Sequence, residues 1–414
     1  MKTDILLNID NPHQLEKLYR QNKSDFKQQF IQLYPELKEN KVAAFWNERL
    51  NYEAEDLNWG TKRDITFVIA GALLAGIIAK IPAFFNLDEE YFFQKNVGFI
   101  VLPIITFFFA RKNGLTTKSI VVTSLASLVS LLYINLLPHP AKSDSFLLSC
   151  IHLPLMLWSF WGFAFIGGSL GNYEKRLAFL RYNGDLAVMT GLIVIAIILL
   201  TGVTNGLFSL IDMNIEKFYF QNVVLFCVSA SPIVGIYLTE TNPQIVNKVS
   251  PVIAKIFSPL VLITLIAYLA AIVISGKNPY NDREFLLIFN ALLIGVMAII
   301  FFSVAGTRDS TKDYLGTIIL LLLSILTIIV NGIALSAIVF RISEWGITPN
   351  RVAVLGGNLL MLSNLILISV KLFSALKRKN DTTEVGKAIA LFLPYYALWS
   401  FIVTFFFPLI FKFK

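Results

Sequence analysis

Arg341-Ile342-Ser343-Glu344-Trp345-Gly346-Ile347-Thr348-Pro349-Asn350-Arg351 is a polar, turn-forming island between two of the longest apolar runs in the chain, residues 314–340 and 350–376. Each run exceeds the roughly 20 residues that an α-helix needs to cross the hydrocarbon layer, so the island reads as the bend between two membrane helices. Arg341 closes the first span. Trp345 suits the water–lipid boundary, where an amphipathic ring is favoured, and Gly346 permits a tight bend. Thr348 followed by Pro349 reads as N-cap and first helical position, because the Thr oxygen accepts a free backbone N–H and Pro lacks one. Asn350 and Arg351 then open the second helix. Glu344, between Arg341 and Arg351, offers a partner to either. Such an island serves as an interfacial connector or as a ligand gate at the outer face.

The same alternation of apolar run and short polar loop extends outward over most of the chain. Of 414 residues, 56% are hydrophobic and only 15% charged, with mean hydropathy +0.68, whereas soluble domains carry about 25% charged residues. Spans are expected near 64–83, 97–110, 119–137, 146–167, 186–210, 219–239, 251–275, 284–305, 314–340, 350–376 and 386–411. The expected architecture is an all-α, polytopic transmembrane helix bundle of about eleven spans over residues 64–414. Ten to twelve crossings fit, since the second span is short and the last carries Pro394 and Pro408. Residues 1–63 lack an apolar core and read as a small soluble helical module. Three short helices there carry Leu15, Leu18 and Tyr19; Phe26, Phe30, Leu33 and Tyr34; and Val42, Phe45, Trp46 and Leu50, at helical spacing.

The charge is uneven. Residues 1–63 are balanced at 10 Lys/Arg against 10 Asp/Glu, so the whole net charge of +8 lies in the membrane part. Its cations sit singly or in threes at span ends, which is a topology signal and not a nucleic-acid stripe. The loops on the N-terminal side hold 17 Lys/Arg against 10 opposite, which predicts a cytoplasmic N-terminus and places the island outside. Cys150 and Cys227 fall in apolar runs, and His13, His139 and His152 are scattered, so no metal set, cofactor or disulfide framework is expected.

The Arg-Ile-x-Glu-x-Gly-Ile-Thr-x-Asn-Arg pattern of the island, between two spans in the C-terminal part of a polytopic chain, resembles a bacterial membrane family, domain of unknown function 4153. The similarity runs from about Asp64 to the end, and the N-terminal Leu15–Arg20 and Phe45–Leu50 segments resemble one attached to members of that family. The resemblance implies a multi-pass protein of the bacterial inner membrane and carries over no site residues.

One enzyme signature matches by letters, the G-x-S-x-G of Gly167-Gly168-Ser169-Leu170-Gly171. A nucleophile elbow needs a strand before it, and here a membrane helix precedes, so no enzyme is expected. Transport-like features are softer. Ser229-Ala230-Ser231-Pro232 stands in the sixth span, where Pro frees a carbonyl and either breaks the helix around a substrate or merely kinks it. Asn331, Asn358 and Asn364, on the spans flanking the island, place amides in hydrocarbon, where they must pair or face water. They are read as substrate-lining residues or as glue between helices. No Asp or Glu lies deep in a span, which argues against a carboxylate proton relay. The favoured expectation is permease-like transport of a small or amphipathic substrate past Ser229, Ser231 and the Asn residues. The alternative is a scaffold or envelope sensor signalling through residues 1–63 to a cytoplasmic protein partner.

Overall fold

The computed structural model describes residues 2–21, 23–51, 61–138, 143–209, 213–243, 258–267, 269–270, 274, 283–306, 314–377 and 382–413. It divides into two compact units, Met1–Gly60 and Thr61–Lys414.

The first unit has four helices, α1 (Lys2–Leu7), α2 (Pro12–Gln21), α3 (Lys23–Leu33) and α4 (Lys41–Asn51), one more than the three expected. Asn40 starts α4 by accepting the backbone N–H groups of Val42 and Ala43 at 2.9 and 3.0 Å. Ile5, Leu15, Phe26, Phe30, Leu33, Trp46 and Leu50 form the core. Trp46 is its centre, with its ring 5.1 Å from Phe26 and 5.5 Å from Tyr19. Phe45, expected in the buried stripe, instead points outward and is 64% exposed. The stripe that packs is Ala43, Trp46 and Leu50, and a neighbour one residue from Trp46 lies about 100° round the helix.

The second unit is helical, with no strand among the described residues. Nine of its described helices are long and apolar enough to cross a membrane. They are α5 (Lys62–Phe85), α6 (Glu89–Lys112), α7 (Thr117–Leu136), α8 (Asp144–Phe165), α9 (Tyr173–Ser209), α10 (Glu216–Thr241), α13 (Tyr314–Trp345), α14 (Pro349–Lys377) and α15 (Thr383–Ile410). Between them lie the short apolar α11 (Ser258–Ala267) and the 24-residue α12 (Arg283–Gly306), whose described apolar stretch is Phe289–Ala305. About half of the expected seventh span lies outside the described residues, as does His139. The expected count of about eleven therefore stands against nine demonstrably span-length helices among the described residues.

Helices start where side chains can satisfy their first N–H groups. Thr61 and Asp64 form a capping box at α5, and Asp88, Thr116 and Ser143 cap α6, α7 and α8. Gly167 and Gly168, both at positive φ (62° and 75°), follow the end of α8, so the G-x-S-x-G letters mark a helix stop. The Ser169 hydroxyl accepts from Lys175 at 3.4 Å.

Proline does not break these helices, and at two of them the carbonyl freed four residues earlier finds a hydroxyl. Pro232 deprives Val228 of its partner, and Ser231 Oγ donates to that carbonyl at 2.8 Å. Pro408 frees Thr404, whose carbonyl accepts from Ser149 of α8 at 2.7 Å. In hydrocarbon such a group left alone costs several kcal/mol. Helix α10 consequently runs through Pro232 unbroken. Its irregularity is a π-helical turn at Phe220–Val224, where Lys80 of α5 donates to the Gln221 carbonyl at 2.7 Å. Close approach is carried by glycine. A Cβ on Gly356 would lie 2.1 Å from the Trp399 ring, and one on Gly76 2.1 Å from Phe226. Gly202, by contrast, has open space around it.

Candidate functional site

The five polar residues expected to line one path occupy separate places. Ser229 and Ser231 lie on α10, which packs chiefly on α5 and α9. Asn331, Asn358 and Asn364 lie on α13 and α14, the most extensively packed pair of helices in the chain. There Asn331 Nδ2 donates to the Asn358 carbonyl at 3.2 Å, and Asn358 Nδ2 to Asn290 Oδ1 of α12 at 3.0 Å. Asn364 donates to the Tyr396 hydroxyl of α15 at 3.2 Å. Further along the same seam Ser369 of α14 donates to Ser324 of α13 at 2.9 Å. Exposure is 0–1% at all three Asn residues. Each amide nitrogen thus bonds to a neighbouring helix, while Asn331 Oδ1 and Asn364 Oδ1 are buried without a partner among the described residues.

The island closes the α13–α14 hairpin. Gly346 has φ 77°, a left-handed turn that a side chain resists. The Thr348 hydroxyl accepts the Arg351 backbone N–H at 3.4 Å at the start of α14. Arg341 and Arg351 each place a guanidinium 5.7 Å from the Trp345 ring centre. Arg351 also donates to the Trp345 and Gly346 carbonyls at 3.0 and 2.5 Å. Glu344 is exposed, and the side chain of Arg351 is spent on the turn's carbonyls and Trp345 instead. Asn350 is half-buried in the first turn of α14. The motif therefore acts through backbone and ring, and locks the bend.

An open cleft lies elsewhere, between the N-terminal end of α5 and the C-terminal ends of α6 and α10, with a volume of about 920 Å³. Its floor is apolar, formed by Phe67, Phe108, Ile233, Ile236 and Tyr237, with the Phe67 and Phe108 rings 4.8 Å apart. Its mouth carries Lys62 and Arg63 from α5, Arg111 and Lys112 from α6, and the acids Asp64 and Glu240. Both acids are occupied. Asp64 accepts the Thr61 backbone N–H at 2.9 Å and its hydroxyl at 2.7 Å, and Glu240 pairs with Lys112. Lys62, Arg63 and Arg111 make no ion pair with a described residue. The site thus offers an apolar trough under a rim of cations, within the size range of small-molecule pockets. Neither Ser229, Ser231 nor any of the three Asn residues lines it.

Sequence reasoning counted these cations only as span-end charges. The available signal was that Lys62-Arg63-Asp64, Arg111-Lys112 and Glu240 all fall at ends that an up-and-down threading brings to one side. Lys95 was also missed. Counted as a loop cation, it is 2% exposed. Its ammonium lies 4.2 and 5.2 Å from the Tyr91 and Phe146 ring centres and donates to the Tyr91 hydroxyl and, at 3.4 Å, to the Asn135 and Leu137 carbonyls at the end of α7.

No protein-family model, curated protein or solved structure matches this chain. Function is therefore argued from the cleft alone.

Proposed function

We propose that this is a multi-pass protein of the bacterial inner membrane, akin to the domain of unknown function 4153 family, which takes a small amphipathic substrate into the α5–α6–α10 cleft and moves it in the manner of a permease. The observation that carries the reading is the cleft itself, with apolar walls, unpaired cations and a mouth at the ends of three span-length helices. A purely scaffolding protein has no use for three cations held over an apolar hollow. The Lys/Arg asymmetry puts the N-terminus and this mouth in the cytoplasm, with about eleven crossings and the Trp345 bend outside.

Two experiments test the reading. A tag beside Glu344 is expected to be reachable only from outside the cytoplasmic membrane; labelling solely from the interior overturns the orientation. In a deletion strain supplied with wild-type or Ile233→Trp protein, filling the cleft should abolish whatever uptake or efflux the wild type restores, at equal protein levels. Equal activity of the two would remove the cleft from transport.

The sensor reading keeps one supporting observation. The first unit has a groove of about 580 Å³ beside the exposed Phe45, lined by Pro12, His13, Lys41, Trp46 and Arg49. If residues 1–51 are deleted and transport survives, the permease reading stands without that unit; loss of all activity at equal protein level would favour the sensor.

A further inference from the structure

The cleft's chemistry narrows its occupant. We propose that it holds an anionic phospholipid of the adjoining bilayer leaflet, with the phosphate on Arg63 and Arg111 and the upper part of the acyl chains on Phe108, Ile233 and Ile236. This rests on the reading that residues 61–414 sit in a bilayer with this mouth at its surface.

Position is the first argument. The rim residues are in the first turn of α5 and the last turns of α6 and α10, which is headgroup depth for helices of span length. From Glu240 at the rim to Ile233 on the floor is seven residues, roughly 10 Å along a helix. A ligand that fills the site must therefore carry charge at one end and about 10 Å of apolar body below it. Charge is the second. Four cations and two acids line the cleft, so four minus two leaves its rim with a net charge of +2 even though Asp64, hydrogen-bonded to Thr61, keeps its charge. Arginine suits a phosphate better than lysine does, because its fork binds two oxygens at once. The third is what a soluble anion would leave undone. Inorganic phosphate or a small carboxylate would satisfy Arg63 and Arg111 but leave the half-buried Phe67 and Phe108 rings uncovered. A lipid covers both, and its chain ends can leave sideways, since α5 turns Ile65 and Ile69 outward at 38% and 55% exposure. Lys112 is the adjustable member. Held by Glu240, it becomes a third phosphate contact once the pair opens.

The test uses the purified full-length chain in a zwitterionic detergent, with native mass spectrometry of added phosphatidylglycerol, phosphatidylcholine and inorganic phosphate. Phosphatidylglycerol is expected to bind and phosphatidylcholine to be retained at least tenfold less. Millimolar inorganic phosphate should not displace the lipid. Arg63→Ala with Arg111→Ala should weaken phosphatidylglycerol about thirty-fold, on the basis of about 1 kcal/mol per cation near an anionic surface. Lys217→Ala, at the opposite end of α10, should change nothing. Glu240→Gln supplies a variant of opposite sign, freeing Lys112 and tightening the lipid several-fold, so a double variant that fails to fold leaves the idea open to refutation. Equal retention of both lipids, full displacement by phosphate, or a Glu240→Gln protein that binds no tighter would each overturn the proposal. A lipid that binds as described in a protein that transports nothing would refute the permease reading and leave this one standing.

Discussion

Helix α6 carries a lysine near each end, and the two have different surroundings. Lys95 is sealed at 2% exposure, its ammonium shared between two rings, a phenol and the carbonyls that end α7. Lys112 stands at the mouth of the cleft with 42% of its side chain exposed and one carboxylate for company. Beside Lys95, Asn96 and Asn135 exchange amide hydrogen bonds at 3.1 and 2.8 Å, much as Asn331, Asn358 and Asn290 chain together in the α12–α14 block. Beside Lys112, cations outnumber their partners. The contrast separates polar groups that fix the fold from polar groups kept for something else. Where amides bond across to a neighbouring helix, the residues specify packing; where charges face an apolar hollow, they specify a ligand.

Packing in the sealed regions should be the least forgiving. Gly356→Leu drives new atoms into the Trp399 ring, which already fills the space a Cβ would need, and the expected loss is about 3 kcal/mol or more. Detergent-solubilised protein should aggregate or unfold at a much lower temperature. Gly332→Leu, with nothing within 4 Å, is the control, and a similar loss there would mean that glycine as such, not the Trp399 slot, matters. The lysine pair gives the next largest difference. Lys95→Met leaves the α7 carbonyls without their donor and should cost about 1 to 3 kcal/mol. Lys112→Met should cost about 1 kcal/mol or less, and equal costs would dissolve the contrast between the two ends. Asn358→Leu should be milder, about 0.5 to 2 kcal/mol, because it strands Asn290 but keeps the backbone carbonyl to which Asn331 donates. Adding Asn290→Leu should recover part of that, since an apolar pair needs no partners, and thermal unfolding of the two variants measures the recovery.

Architecture was legible because hydrocarbon imposes length and charge rules on every crossing. The spans around the island, the Thr348 cap and the Gly346 bend all follow from local chemistry at neighbouring positions. The cleft was not legible, since its residues come from 62–68, 107–112 and 233–241, and only folding brings those ends together. Lys95 misled for a related reason. Near a span end a lysine ordinarily snorkels to water, and nothing local announces that the end of α7 will arrive to accept its protons. Ser229 and Ser231 attracted attention beside Pro232, yet Ser231 repairs the backbone gap that the proline makes, so the conspicuous motif restores its own helix.

The smallest expected effect lies in the first unit, where Glu16 lines the groove beside Phe45 but is engaged by two arginines. Glu16 accepts from Arg20 at 2.8 Å and pairs with Arg49 at 2.9 Å. The Arg20 hydrogen bond first, then the nearby Arg49 and Arg20 charges, hold its carboxyl below its ordinary value of 4.5 against a modest opposing desolvation. A depressed acid stabilises the folded form above its unfolded value and loses that contribution as pH falls through the lowered one. Amide exchange across α2 and α4 should therefore be slightly faster in Glu16→Gln than in wild type at pH 7. The difference should shrink with added salt and vanish once the pH drops well below 4.5. If it persists undiminished at low pH, the side chain's packing against its neighbours, and not its charge, would be what α2 and α4 depend on.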